Sequence, residues 1–131
     1  MTYPVHKTKH SAGADWETQE DVTFYPFTQV LVRTGVFIPE GTPEDTFFLL
    51  APRSSTFKKY KLIQTNSVGI LDADYPNEIL APLLNLSMET ITIPKGTSLG
   101  QLVNVNYNQV FDVLDVERLD GFGHTDQNQV S

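Results

Sequence analysis

Thr90-Ile91-Thr92-Ile93-Pro94 and Val103-Asn104-Val105-Asn106-Tyr107 place an apolar side chain at every second position. That is the period of a strand with one face in a core and the other in water. Val30, Val32, Thr34, Val36 and Ile38 extend the pattern along one face of a longer strand, which Pro39-Glu40-Gly41-Thr42-Pro43 then ends. Thr46-Phe47-Phe48-Leu49-Leu50-Ala51 and Ile79-Leu80-Ala81-Pro82-Leu83-Leu84 are instead continuous apolar runs, so both of their faces are expected to be covered, in the middle of a sandwich or between subunits. Short apolar segments between Pro, Gly and Asn signals predict an all-β sandwich or barrel. Helical signal is scarce, and its best place is one or two turns from Ser54 to Lys59 with a serine as cap. Chemistry in such a chain rides on strand ends and turns.

At 131 residues one domain is expected, large enough to bury a core without staples. Cysteine is absent, which excludes disulfides and thiolate metal sites. The residues after Met1 lack a secretory pattern, and an intracellular, cytoplasmic protein is expected. No apolar run approaches the roughly 20 residues of a membrane span. A formal charge of −7 argues against direct nucleic-acid binding, which needs a broad basic face. Lys58, Lys59 and Lys61 form the sole basic cluster, either a solvated face or a supporting field for phosphate. An acidic protein that takes a polyanion is expected to meet it with a divalent cation attached. His10, Ser11, Ala12, Gly13 and Ala14 read as small and flexible, and the glycine-rich polar stretch from Gly121 to Gln129 reads as a tail that orders over a ligand.

Two segments concentrate chemistry. In Ala51-Pro52-Arg53-Ser54-Ser55, Arg53 offers a planar fork of donors to phosphate or to a neighbouring carboxylate. Ser54, Ser55 and the amides of a starting helical turn can meet phosphate oxygens. A capping turn with Arg53 in a structural ion pair accounts for the same residues equally well. In Asn66-Ser67-Val68-Gly69-Ile70-Leu71-Asp72-Ala73-Asp74-Tyr75, an amide can read a base edge, a carboxylate can take a proton from water and a ring can pack on a sugar. A hairpin with turn-forming Asn and Asp explains Asn66 and Asp72 separately, but not Asn66, Gly69, Asp72 and Tyr75 together. His6, His10 and His124 lack metal-ligand spacing, and Glu40, Glu44 and Asp45 lack the alternation of a calcium loop.

In order along the chain, five segments resemble the five motifs of the trimeric dUTP pyrophosphatase (dUTPase) family, in a compact form similar to phage or Gram-positive members. The first is Ser11-Ala12-Gly13-Ala14-Asp15-Trp16, with Ala14 and Trp16 where the family usually has an aromatic residue and Leu. The Arg53 and Asn66 segments are the second and third, the latter continuing as Pro76-Asn77-Glu78 instead of the family's Arg-Gly-Glu. The fourth is Lys95-Gly96-Thr97-Ser98-Leu99-Gly100-Gln101-Leu102, with Ser98 and Gly100 in place of the common basic residue and Ala. The last is Glu117-Arg118-Leu119-Asp120-Gly121-Phe122-Gly123-His124-Thr125, with Arg118 one residue nearer the Gly-Phe-Gly than is usual.

The resemblance implies a distorted jelly roll (a β-clip, dUTPase-like barrel) and a single domain over residues 1–131 with a flexible arm over about 119–131. It implies a homotrimer with shared sites and hydrolysis of dUTP to dUMP and pyrophosphate with Mg²⁺. By the same resemblance Asp72 is the general base, and Asn66 with backbone near Gly69, Ile70 and Leu71 reads uracil. Tyr75 packs under deoxyribose; Arg53, Ser54, Ser55 and Gln101 serve the phosphates. Phe122 stacks on the base, while Arg118, Gly123, His124 and Thr125 close on the phosphates. Asp15 orders water around a magnesium ion held mainly by the substrate. Two alternatives stand beside this: a dCTP deaminase, which shares the Arg-Ser-Ser turn, and a regulatory module of the same fold that binds a repressor protein.

Overall fold

The computed structural model describes residues 3–114. Nine strands and one helix follow in the order β1 (Ala14–Glu17), β2 (Val22–Phe24), β3 (Gln29–Arg33), β4 (Thr46–Pro52), α1 (Ser54–Tyr60), β5 (Leu62–Gln64), β6 (Gly69–Asp72), β7 (Leu80–Asn85), β8 (Ile91–Ile93) and β9 (Ser98–Asn106). All pairings are antiparallel, in a four-stranded sheet β1-β9-β4-β6, a three-stranded sheet β3-β7-β5 and a β2-β8 pair. The all-β expectation holds.

Alternation becomes burial where it was expected. Ile93 is buried with Thr92 exposed beside it, and Asn104 and Asn106 face water between half-buried Val103 and Val105. The two continuous apolar runs are β4 and β7, each an interior strand of its sheet, and no residue of either is exposed. A central strand has neighbours on both edges and layers on both faces, which leaves no position for a polar alternate. The expected long strand over 30–38 is interrupted. Regular pairing ends at Arg33, and Gly35 takes φ 74°, but the Thr34 amide still donates to the Ile79 carbonyl at 3.3 Å and the Ile79 amide to the Val36 carbonyl at 2.8 Å, and Val32, Thr34 and Val36 all remain buried. Thr34 bridges the break: its Oγ1 donates to the Ile79 carbonyl at 2.7 Å and accepts the Val36 amide at 3.1 Å.

The helix occupies the expected place, but its cap differs. Arg53, not a serine, is the N-cap, and its amide donates to Thr56 Oγ1 at 3.0 Å. Thr56 is 1 % exposed, and its hydroxyl also donates to the Leu99 carbonyl, so the first turn is tied to β9. The helix ends at Lys61, in the left-handed region at φ 58°. The segment 10–14, read as flexible, is held instead. The Val5 and Asp15 backbones exchange hydrogen bonds, Ser11 N–H bonds the Thr8 carbonyl, and Gly13 is buried.

Candidate active site

The four-stranded sheet brings distant segments into one row. Asp15 on β1 is the register partner of Gln101 on β9, and Gln101 is in turn the partner of Ala51 on β4. Arg53 follows two residues later, at the helix start. Its Nε lies 3.5 Å from Asp15 Oδ2, with the carboxylate side chain only 10 % exposed. Both readings of Arg53 are therefore realised in part, since it stands in an ion pair that engages Nε and does not spend the terminal nitrogens of the fork. Gln101 Nε2 donates to the Pro52 carbonyl at 3.1 Å. This turns Oε1 toward Gly13, where any β-carbon would overlap it. A side chain at Gly13 would have to displace the Gln101 amide from its bond to Pro52.

These groups line an open cleft of about 340 Å³ formed by Lys7, Ser11, Ala12, Gly13, Asp15, Arg53, Ser54 and Gln101. Lys7 and Ser11 were not singled out from sequence. No motif contains Lys7, and only the pairing of Val5 with Asp15 brings it back over the cleft. The basic cluster is not there. Lys59 and Lys61 lie over the rings of Tyr60 and Phe57, 5.3 and 5.1 Å from their centroids, on an exposed helix face.

The third segment forms a second, separate centre. The expected hairpin is a hairpin-like turn whose two strands, β5 and β6, do not pair with each other but pass from one sheet to the other; it is tightened by Ser67 at φ 64° and by a hydrogen bond from the Val68 amide to the Asn66 carbonyl. Asn66, Ile70 and Asp72 are exposed, Leu71 is half-buried, and Tyr75 is 7 % exposed within the core. Gly69 pairs with Leu50 and Asp72 with Phe47. From Phe47 to Ala51 is about 13 Å along an extended strand, and β6 stands three strand spacings, roughly 14 Å, from β1. The cleft lining accordingly includes none of Asn66, Asp72 and Tyr75. Arg118, Phe122, Gly123, His124, Thr125 and the arm over 119–131 lie outside the described residues.

Two substitutions relative to the family pattern meet in space. Trp16 and Gly100 are register partners, and a β-carbon at Gly100 would stand 2.5 Å from Trp16 Nε1 and 3.1 Å from the Ala51 carbonyl. A tryptophan in place of leucine fits here because the facing alanine has become glycine. Glu78, next to the other departure, accepts the Gly35 amide at 2.9 Å and pairs with Arg33 at 3.2 Å. The pairing raises Arg33 above its ordinary value, chiefly through the hydrogen bond that Arg33 donates to Glu78 and then through the charge of that carboxylate.

An antiparallel β fold with a carboxylate, a guanidinium, a helix-start serine and an amide gathered in one cleft belongs to the class of β proteins equipped to hold a phosphorylated small molecule. The dUTPase family model matches residues 1–129. Among curated relatives, the deoxyuridine 5′-triphosphate nucleotidohydrolase of Corynebacterium diphtheriae is 38 % identical over 98 % of this chain and 88 % of its own. That of Finegoldia magna is 35 % identical over 93 % and 90 %. Among solved structures, the dUTPase from Streptococcus mutans superposes with a TM-score of 0.74 at 28 % identity, covering 83 % of this chain and 88 % of the other. The dUTPase from phage phi11 of Staphylococcus aureus superposes with a TM-score of 0.73 at 23 % identity over 92 % of each chain, a likeness of fold. The chain belongs to the dUTPase family.

Proposed function

We infer that this chain is a dUTP diphosphatase, hydrolysing dUTP to dUMP and pyrophosphate. The observation that carries the reading is the meeting of Asp15, Arg53, Ser54 and Gln101, from three separate segments, in one cleft. In the reaction, Asp72 orients a water in line with the α-phosphorus and accepts its proton. Arg53 and Ser54 stabilise the charge that grows on the leaving pyrophosphate, and Gln101 holds the Pro52 carbonyl that leads into Arg53. The closing arm adds Arg118 to that clamp and Phe122 to the base, with Gly123, His124 and Thr125 along the phosphates. Asn66 and the backbone from Gly69 to Leu71 read uracil, with Tyr75 against the sugar.

The donor set fits Mg²⁺ that arrives on the substrate. Among the described residues no three His, Asp or Glu side chains converge as a cage, while Asp15 borders the cleft and can hold the ion's water. Magnesium there supplies charge neutralisation on the phosphates.

Within one chain the cleft and the hairpin sit at opposite edges of the four-stranded sheet, and the cleft lining contains none of the hairpin's residues. This supports a homotrimer in which the cleft comes from one subunit, the hairpin from a neighbour and the arm from the third. The unit is one domain over residues 1–131, with the arm over about 119–131, working in the cytoplasm beside the deoxynucleotide pool. Among the described residues no helix is long and apolar enough to cross a membrane.

Purified protein incubated with each deoxynucleoside triphosphate and magnesium should release pyrophosphate from dUTP alone. Ammonia from dCTP would replace this reading with the deaminase, and release from every triphosphate would remove the uracil assignment.

A further inference from the structure

Gln64 ends β5 just before the hairpin and is 8 % exposed. It belongs to none of the segments discussed above. A buried amide has to place its donors. Gln64 Nε2 donates to the Leu50 backbone carbonyl at 3.0 Å and to Asn66 Oδ1 at 2.9 Å. A main-chain carbonyl can only accept, so the Gln64 atom that faces Leu50 has to be the nitrogen. The second N–H of that nitrogen faces Asn66, and the Asn66 atom that receives it has to be the oxygen. Through two side chains, the backbone of β4 dictates which way round the Asn66 amide stands.

That choice has chemical content. Asn66 is exposed, and an isolated asparagine has no preference between its two flips. With Oδ1 spent on Gln64, the donor end Nδ2 lies over Gly69, 3.5 Å from where a β-carbon would be. A β-carbon there would also stand 3.1 Å from Leu50 Cβ, so the glycine lets this strand and the Asn66 amide pack closely on β4. A donor beside it matches a carbonyl on a pyrimidine edge and opposes an exocyclic amine, whose own N–H groups it cannot accept.

We propose that Gln64 is a specificity-determining positioning residue: by holding the Asn66 amide with Nδ2 outward, it sets the hairpin to take uracil and to refuse cytosine. The proposal rests on the dUTP diphosphatase reading and deepens it. Gln64 touches no substrate; its effect passes through Asn66.

The test uses full-length protein, calorimetric binding of dUMP and dCMP, dUTP kinetics and melting temperature. Gln64→Met keeps the volume and removes the donors, which frees Asn66 to rotate. The preference for dUMP over dCMP should narrow by at least about tenfold, one hydrogen bond's worth, with the kinetic loss in KM more than in kcat. Asn66→Asp leaves Gln64 packed and still bonded, but turns an acceptor outward, so dUMP binding should fall at least about tenfold while dCMP binding does not. Gln64 that merely satisfies Leu50 would lower both affinities and the melting temperature together and keep their ratio, which overturns the proposal. Wild-type dUMP affinity in Asn66→Asp overturns it too, even where Gln64→Met fails to fold. Wild-type protein that binds neither nucleotide would instead remove the diphosphatase reading and this inference with it.

Discussion

The cleft and the hairpin handle their polar groups in opposite ways. In the cleft, Asp15 is nearly buried, Arg53 pairs with it, and Gln101 is locked between Pro52 and Gly13. One chain assembles that half with strand register alone. On the hairpin, Asn66 and Asp72 are carried at the surface, Asp72 on a strand paired to β4 and Asn66 in the turn before it. The contrast teaches that the cleft's side chains are held by one another across strands, whereas Asp72 on the other side of the sheet is left at the surface, where the proposed assembly and nucleotide would complete its surroundings. A prefixed electrostatic clamp costs little to reorganise during reaction.

The largest effect should come from the exposed half. Asp72→Asn should retain binding of dUMP and cut dUTP turnover by at least roughly 10²-fold, the scale of a positioned base; steady-state kinetics with normal turnover would dissolve the division between the halves. Removal of the chain from Gly121 onward should reduce kcat more than it raises KM, because closure completes the charge clamp and expels water. Equal kinetics before and after truncation would confine the site to the two halves described.

Gly100→Ala strikes the preorganised half. It should lower stability by about 1–3 kcal/mol through overpacking against Trp16, and Trp16→Leu in the same chain should return much of that loss. Denaturant titration of the four variants reads the coupling, and additive losses would show that the two positions are independent. Arg53→Lys keeps the charge and loses the fork, so it should raise KM for dUTP about tenfold with the fold intact; an unchanged KM would make Arg53 a structural ion pair only. The smallest effect is assigned to Thr56→Val. It removes a buried hydroxyl that joins the helix start to β9, at about 1–2 kcal/mol by thermal melting, and a silent substitution would detach the helix from the preorganisation of the cleft.

Much of this was legible before any coordinates. The all-β class followed from segments such as Thr90–Pro94, and the central position of β4 and β7 from their unbroken apolar runs. Asp15, Arg53, Ser54 and Gln101, now found in the cleft, were named by chemistry and by the resemblance of their segments. Other features escaped because they depend on what lies across a strand. Arg53 as the N-cap, Lys7 over the cleft and the fit of Trp16 to Gly100 all require the pairing of β1, β4 and β9. Gln64 looked like an ordinary strand residue, and its burial with two acceptors in reach is invisible to a local pattern.

By itself the sequence determined which residues alternate, where the chain turns and which side chains carry acid, amide and guanidinium, because these depend on neighbours along the chain. Only the tertiary structure decided that Asp15, Arg53 and Gln101 stand together, that Asp72 stands apart from them, and that the Asn66 amide faces one way. Register and hydrogen-bond polarity between strands are set by long-range packing, where a shift of one residue would turn every side chain to the other face.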